Sequence, residues 1–156
     1  MEKRKLLFET SAYVPPEKTD HCIPIDVFVD APYDRLEFTY HFEPLYVEPR
    51  EFALELIRKA RRKYVPEEYT GGYPSETDFL PLKNLLTLSF DDETGTFRGS
   101  AHRGEPDQFC FVEEGDATPG LYPGKINRGY WRVTLLGCSI VTDLHYTLKV
   151  EGVYKG

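Results

Sequence analysis

Between Arg35 and Glu43 the chain alternates strictly. Leu36, Phe38, Tyr40 and Phe42 are apolar, while Arg35, Glu37, Thr39, His41 and Glu43 are polar. A period of two sends the apolar set to one face and the polar set to the other, which predicts a half-buried strand. The same alternation returns near the end of the chain. There Leu144, Tyr146, Leu148 and Val150 face inward and His145, Thr147, Lys149 and Glu151 outward. Ile23, Ile25, Val27 and Val29 alternate with Pro24, Asp26 and Phe28, and Trp131, Val133 and Leu135 alternate with Arg132 and Thr134. Asn84 to Phe90 and Thr96 to His102 flank Asp91-Asp92-Glu93-Thr94-Gly95, a hairpin loop in which Gly95 can take a positive φ. Leu6 to Thr10 and Phe109 to Glu113 read as short strands.

One segment keeps a different period. From Pro49 to Tyr64, Phe52, Leu56, Ala60 and Tyr64 recur every fourth residue, and Ala53 and Ile57 widen the stripe. Pro49 suits a first-turn position and Pro66 ends the segment. Closely spaced strands with one helix predict a mainly β chain. The expected architecture is an antiparallel β-sandwich, jelly-roll-like, forming a single domain over residues 1–156, with the helix at 49–64 covering an open edge or face. Residues 65–83 carry three prolines and Gly71-Gly72. They are expected to form an excursion that lays Tyr69, Tyr73 and Phe79 over the sandwich, with a mobile loop or lid as the alternative.

Composition narrows the function. Eleven Tyr and ten Phe stand against one Met and one Trp, so rings on strands dominate the core and surface. The net charge of −7 argues against nucleic acid as a general partner, since phosphate neutralisation needs a positive field. The local exception is the run Arg58 to Lys63, read first as a complement to the helix dipole and second as an RNA or membrane contact. Cys22, Cys110 and Cys138 are odd in number and lack a C-x-x-C pair, so neither a disulfide framework nor a zinc ribbon is expected. Cys110 and Cys138 stand in apolar contexts. No apolar run suits a signal peptide or membrane span, and a cytoplasmic location without membrane contact is expected.

Reactive constellations are absent from the pattern. His41, His102 and His145 fall on polar faces of separate strands and His21 in a loop, with no close pair to start a metal site. Asp91-Asp92-Glu93 lacks the spacing of a calcium loop and reads as a solvated hairpin tip. Glu113, Glu114 and Asp116 read as loop charge. Ser100 and His102 share a strand face without an orienting acid or oxyanion hole, which leaves a Ser–His catalyst with Arg98 a distant third reading. The glycines match no phosphate or dinucleotide fingerprint. No catalytic residue, metal site or cofactor is expected.

The stretch ATPGLYPGKINRGYWRV, residues 117–133, holds two Pro-Gly turn formers, a third turn at Asn127-Arg128-Gly129 and the lone Trp. The architectural reading is a rigid corner where the chain crosses between sheets, sealed by Trp131. The functional reading notes Tyr122, Tyr130 and Trp131 beside Arg98, Arg128 and Arg132, rings and donors suited to a sugar, nucleotide or peptide. Candidate ligand contacts are therefore Arg98, Thr118, Tyr122, Trp131 and Arg132, with Tyr73 from the 65–83 excursion.

The elements Asp91-Asp92, Arg98-Gly99, Ala117-Thr118-Pro119-Gly120, Pro123-Gly124 and Gly129-x-Trp131-x-Val133, in that order, resemble the N-terminal accessory domain found ahead of some metallohydrolases of the polymerase-and-histidinol-phosphatase superfamily. The likeness covers mainly Leu85 to Val150. In those proteins hydrolysis belongs to a separate metal-binding domain that starts with His-x-His, a motif this sequence lacks. Leu121-Tyr122 and Cys138-Ser139 also depart from the pattern. The resemblance implies a non-catalytic module that binds a ligand or a partner protein, with a metal-dependent phosphoesterase as a candidate partner. The alternative from the residues alone is a carbohydrate- or small-molecule-binding protein that uses the aromatic loops.

Overall fold

Every alternating segment folds as a strand. The structure, a computed structural model, describes residues 1–72 and 74–156. Its strands are β1 (Lys3–Val14), β2 (Cys22–Val29), β3 (Arg35–Glu43), β4 (Leu85–Asp91), β5 (Phe97–Ala101), β6 (Asp107–Glu113), β7 (Gly129–Ser139) and β8 (Leu144–Tyr154). The helix α1 spans Arg50–Tyr64, between β3 and β4. Two four-stranded antiparallel sheets form, ordered β1-β8-β3-β6 and β2-β7-β4-β5. First pairs with last, second with seventh, third with sixth and fourth with fifth. This nested order is the jelly-roll form of the β-sandwich.

The period-two pattern decides which side chains meet. Phe38, Tyr40 and Phe42 of β3 and Phe90, Trp131 and Leu135 of the opposing sheet are almost wholly buried between the layers. The rings of Phe38 and Phe90 stand 4.7 Å apart, and those of Phe38 and Trp131 6.3 Å apart. Burying each large apolar side chain contributes about 1.5–3 kcal/mol, so this row is a principal source of stability. Tyr40 satisfies its one polar atom by donating to the Leu86 carbonyl at 3.0 Å. Desolvation pushes its phenol well above the ordinary value and keeps it neutral.

The polar face of the first sheet is less wet than its pattern predicts. Glu37 points outward yet is only 4% exposed. Arg4 and Arg35 both donate to its carboxylate, and the Arg35 guanidinium lies 5.0 Å from the Phe111 ring centroid. Long side chains from β1 and from β3 itself thus roof over a charge that alternation alone would leave in water. Glu113 is tied down similarly by Arg35 and Lys155, so it is a sheet ion-pair partner rather than loose loop charge.

Around the helix the structure departs from expectation. Only Ala53 and Ile57 of α1 are buried, while Phe52, Ala60 and Tyr64 are exposed. The helix packs against the 3-10 turn Glu76–Phe79 instead of covering a sheet, so a narrower arc of its surface is covered than its apolar stripe suggests. The excursion forms short 3-10 turns at Glu67–Gly72 and Glu76–Phe79. Tyr69 and Phe79 remain exposed and do not lie over the sandwich; Tyr73 is outside the described residues. Cys110 is buried as its context predicts. Cys138 is exposed because it faces outward on β7, and all three cysteines are free. Among the described residues no helix is long and apolar enough to cross a membrane.

Candidate functional site

The β4–β5 hairpin is organised by Asp92. One carboxylate oxygen accepts from the Thr94 amide at 2.9 Å, the Thr96 amide at 3.1 Å and the Thr94 hydroxyl at 2.6 Å. The other accepts from Arg98 Nη1 at 3.2 Å. Burial opposes the charge on Asp92, but these donors outweigh it and hold the carboxyl below its ordinary range. Asp92 is therefore a half-buried anchor, where the sequence predicts a solvated tip.

Arg98 links this hairpin to the 117–133 stretch. Its Nε donates to the Tyr122 carbonyl at 3.0 Å, and its guanidinium lies 5.0 Å from the Trp131 ring centroid. A Cβ on Gly124 would come within 2.8 Å of Arg98 Nη2, so the chain needs glycine there to pass the guanidinium. Gly99, at φ 110°, lies against the Gly120 backbone, where any Cβ would collide. Tyr122 N donates to Arg98 O at 2.9 Å and Ser100 N to Gly120 O at 3.1 Å, which fastens the stretch along β5. Thr118 closes its other side. Its hydroxyl accepts from the Phe111 amide at 2.9 Å, and its own amide donates to Phe111 O at 3.0 Å.

Arg98 and Trp131 are thus brought together over the crossing between β6 and β7, while Thr118 fastens the start of that crossing to β6. Trp131 is 1% exposed, so its ring belongs to the core. Two donors in this corner, Arg98 Nη2 and Trp131 Nε1, are buried without a partner among the described residues. Tyr122 is exposed and meets Phe97 edge-on, with centroids 5.9 Å apart. Ser100 and His102 share no hydrogen bond, and His102 lies beyond the end of β5. Among the described residues no group of three or more His, Cys, Asp or Glu side chains is placed to hold a metal ion.

Arg132 stands apart from that corner, on the outer face of the second sheet. It pairs across strands with Asp26 of β2 on one side and Asp91 of β4 on the other. Its Nε donates to Asp26 at 3.0 Å. Two residues earlier, Tyr130 opposes Phe28, their rings 5.0 Å apart, and Arg128 lies 5.2 Å from the Phe28 centroid. Tyr130 and Arg132 floor an open cleft of about 470 Å³, walled by Asp26 and by the hairpin residues Asp91 to Glu93 and Gly95. Glu93 accepts from Asn127 at 3.0 Å through one oxygen, while the other is buried without a protein partner.

An exposed ring and a guanidinium between two carboxylates together offer a flat apolar face rimmed by donors and acceptors. Of this group, sequence reading selects Arg132 and notes Tyr130. Asp26, Asp91 and Glu93 are missed because their convergence depends on strand register. The outward-facing ring of Phe28, opposite in phase to Val27 and Val29, is the signal that marks the face.

Neither a family model nor any curated protein matches this chain. A protein of Sulfurospirillum deleyianum known from its crystal structure aligns over 96% of this chain and 99% of its own, at 7% identity and a TM-score of 0.34.

Proposed function

We propose that the protein is a non-catalytic β-sandwich binding module, with its ligand surface on the outer face of the second sheet. The ligand class that fits is a polyhydroxylated small molecule or glycan. The observation that carries this reading is the cleft itself: the exposed Tyr130 beside Arg132, and Arg132 between Asp26 and Asp91. A sugar has an apolar face for the ring and hydroxyls that both donate and accept.

A thermal-shift panel of mono- and oligosaccharides on the intact chain tests it. A ligand at about 100 times its Kd stabilises by ~2.7 kcal/mol, a shift of roughly 5–10 °C for a domain of this size. Tyr130→Ala and Arg132→Ala are expected to abolish the shift while leaving the unliganded melting temperature nearly unchanged. Silence across the panel, or binding that survives both substitutions, sinks the reading.

A second reading makes the module an accessory to a separately encoded metal-dependent phosphoesterase. It is favoured by the way residues of the resemblance interlock, with Arg98 against Asp92, Gly124 and Trp131, and Gly99 against Gly120. Affinity capture with the purified chain as bait, followed by a metal-dependent phosphoesterase assay on the captured fraction, tests this reading. Capture of no such activity counts against it.

A further inference from the structure

The helix α1 carries a charge opposite to that of the chain around it. Arg50, Arg58, Lys59, Arg61, Arg62 and Lys63 stand against Glu51 and Glu55, a net of +4, which leaves −11 for the rest of a chain whose total is −7. With so many carboxylates available, Arg35 is neutralised by Glu37 and Glu113, and the buried Arg98 by Asp92. Among the described residues Arg58 alone of the α1 arginines has such a partner, Glu76 at 2.7 Å. Arg61 and Arg62 have no hydrogen-bond or ion-pair partner among the described residues.

Complementing the helix dipole requires cations only within the last turn. Arg58 and Lys59 lie outside it, and the run exceeds that need. Spacings of three and four residues place Arg58, Arg61 and Arg62 on one side of the helix, where they line a cleft of about 520 Å³ together with Val65, Glu67 and Glu76. Tyr64 and Tyr69 are exposed nearby.

We propose that this face of α1 is a docking surface for an acidic peptide segment of a partner protein. Guanidinium groups present flat forks of donors that match carboxylates two bonds at a time. A cleft of this size takes two or three acidic side chains, and the exposed tyrosines offer contacts for apolar residues between them. The negative charge over the rest of the domain disfavours an extended polyanion, which would have to lie across it. A short acidic segment meets only the helix.

The test is fluorescence anisotropy of a labelled dodecapeptide rich in Glu and Asp, titrated with the intact protein at low and at physiological salt. Saturable binding that weakens with salt is expected, with a loss of at least about tenfold in Arg61→Glu/Arg62→Glu. The milder pair Arg61→Gln/Arg62→Gln, with an unchanged circular dichroism spectrum, should show a smaller loss in the same direction. Tyr130→Ala should bind the peptide normally, which separates this surface from the cleft on the second sheet. Absence of binding, or binding indifferent to both double variants, overturns the proposal. So does tighter binding to a single-stranded oligonucleotide or to phosphatidylserine vesicles than to the peptide. Salt-sensitive self-association abolished by the same substitutions would assign the face to a second copy of the chain and overturn the peptide partner.

Discussion

The Arg98 guanidinium lies 5.0 Å from the centroid of the Trp131 ring, and both side chains are buried. This contact joins the β4–β5 hairpin, through Asp92, to the 117–133 stretch, through the Tyr122 carbonyl. A charge in such a place is tolerated because a carboxylate, a carbonyl and a ring face surround it.

Arg98→Ala should therefore be among the more damaging single changes in the protein. It leaves one oxygen of the Asp92 carboxylate without its donor, frees the Tyr122 carbonyl and opens space over Trp131. The expected cost is about 3 kcal/mol, measurable as a lower urea midpoint at unchanged slope. Arg98→Lys should recover part of it, since one charge–charge contact can survive without the fork.

Thr118→Val keeps the shape of the side chain but removes the acceptor for the Phe111 amide. A loss of about 1–2 kcal/mol is expected, with Thr118→Ser close to wild type. Hydrogen exchange at Phe111 is the direct readout, and it should accelerate in the valine variant alone.

Acid should unfold the protein through its paired carboxylates. For Glu37, burial favours the neutral form, but hydrogen bonds and charges from Arg4 and Arg35 outweigh it, and the folded pKa lies below the ordinary 4.5. Glu113, held chiefly by Lys155, and Asp92 shift in the same direction. A depressed folded pKa gives stability that is present above the unfolded value and is lost as pH falls through the folded one. The urea midpoint should thus decline below about pH 4.5, with a shallower decline in Glu37→Gln.

His41 has the opposite sign. Its hydrogen bond to Asp107 at 2.6 Å raises its pKa, assisted by Glu43 and opposed by partial burial. Its contribution is complete below the unfolded value of 6.5 and disappears as pH rises through the folded one, and it is small because the pair is exposed. An NMR titration should place His41 above the ordinary value, and Asp107→Asn should bring it back. An unshifted titration in the wild type contradicts the geometry.

The strands were legible because alternation over one buried face constrains every second residue, as in β3 and β8. The crossing between sheets was legible in its turn formers, and so was the inward direction of Trp131, which shares its phase with Val133 and Leu135. Less readable were effects that depend on partners distant in sequence. Glu37 is covered by Arg35 of its own strand and by Arg4 of β1, and the Arg4 contribution is not marked in its own neighbourhood. The stripe on α1 gives a direction but not the width of the surface that covers it. Arg132 stood out alone, whereas Asp26 and Asp91 join it only through the register of β2 and β4 against β7.

The first and last strands pair in antiparallel register from Lys3 opposite Tyr154 to Val14 opposite Leu144. Residues 1 and 156 consequently lie side by side, with a Cβ on Gly156 placed 3.0 Å from the Met1 backbone nitrogen. Topologically the chain is almost a ring. A few linking residues would close it, and it could then be reopened at Gly71-Gly72, which no neighbour crowds, as a circular permutant with all its strand pairings intact. The same closeness means that two flexible tethers attached at either end would leave the domain from one point.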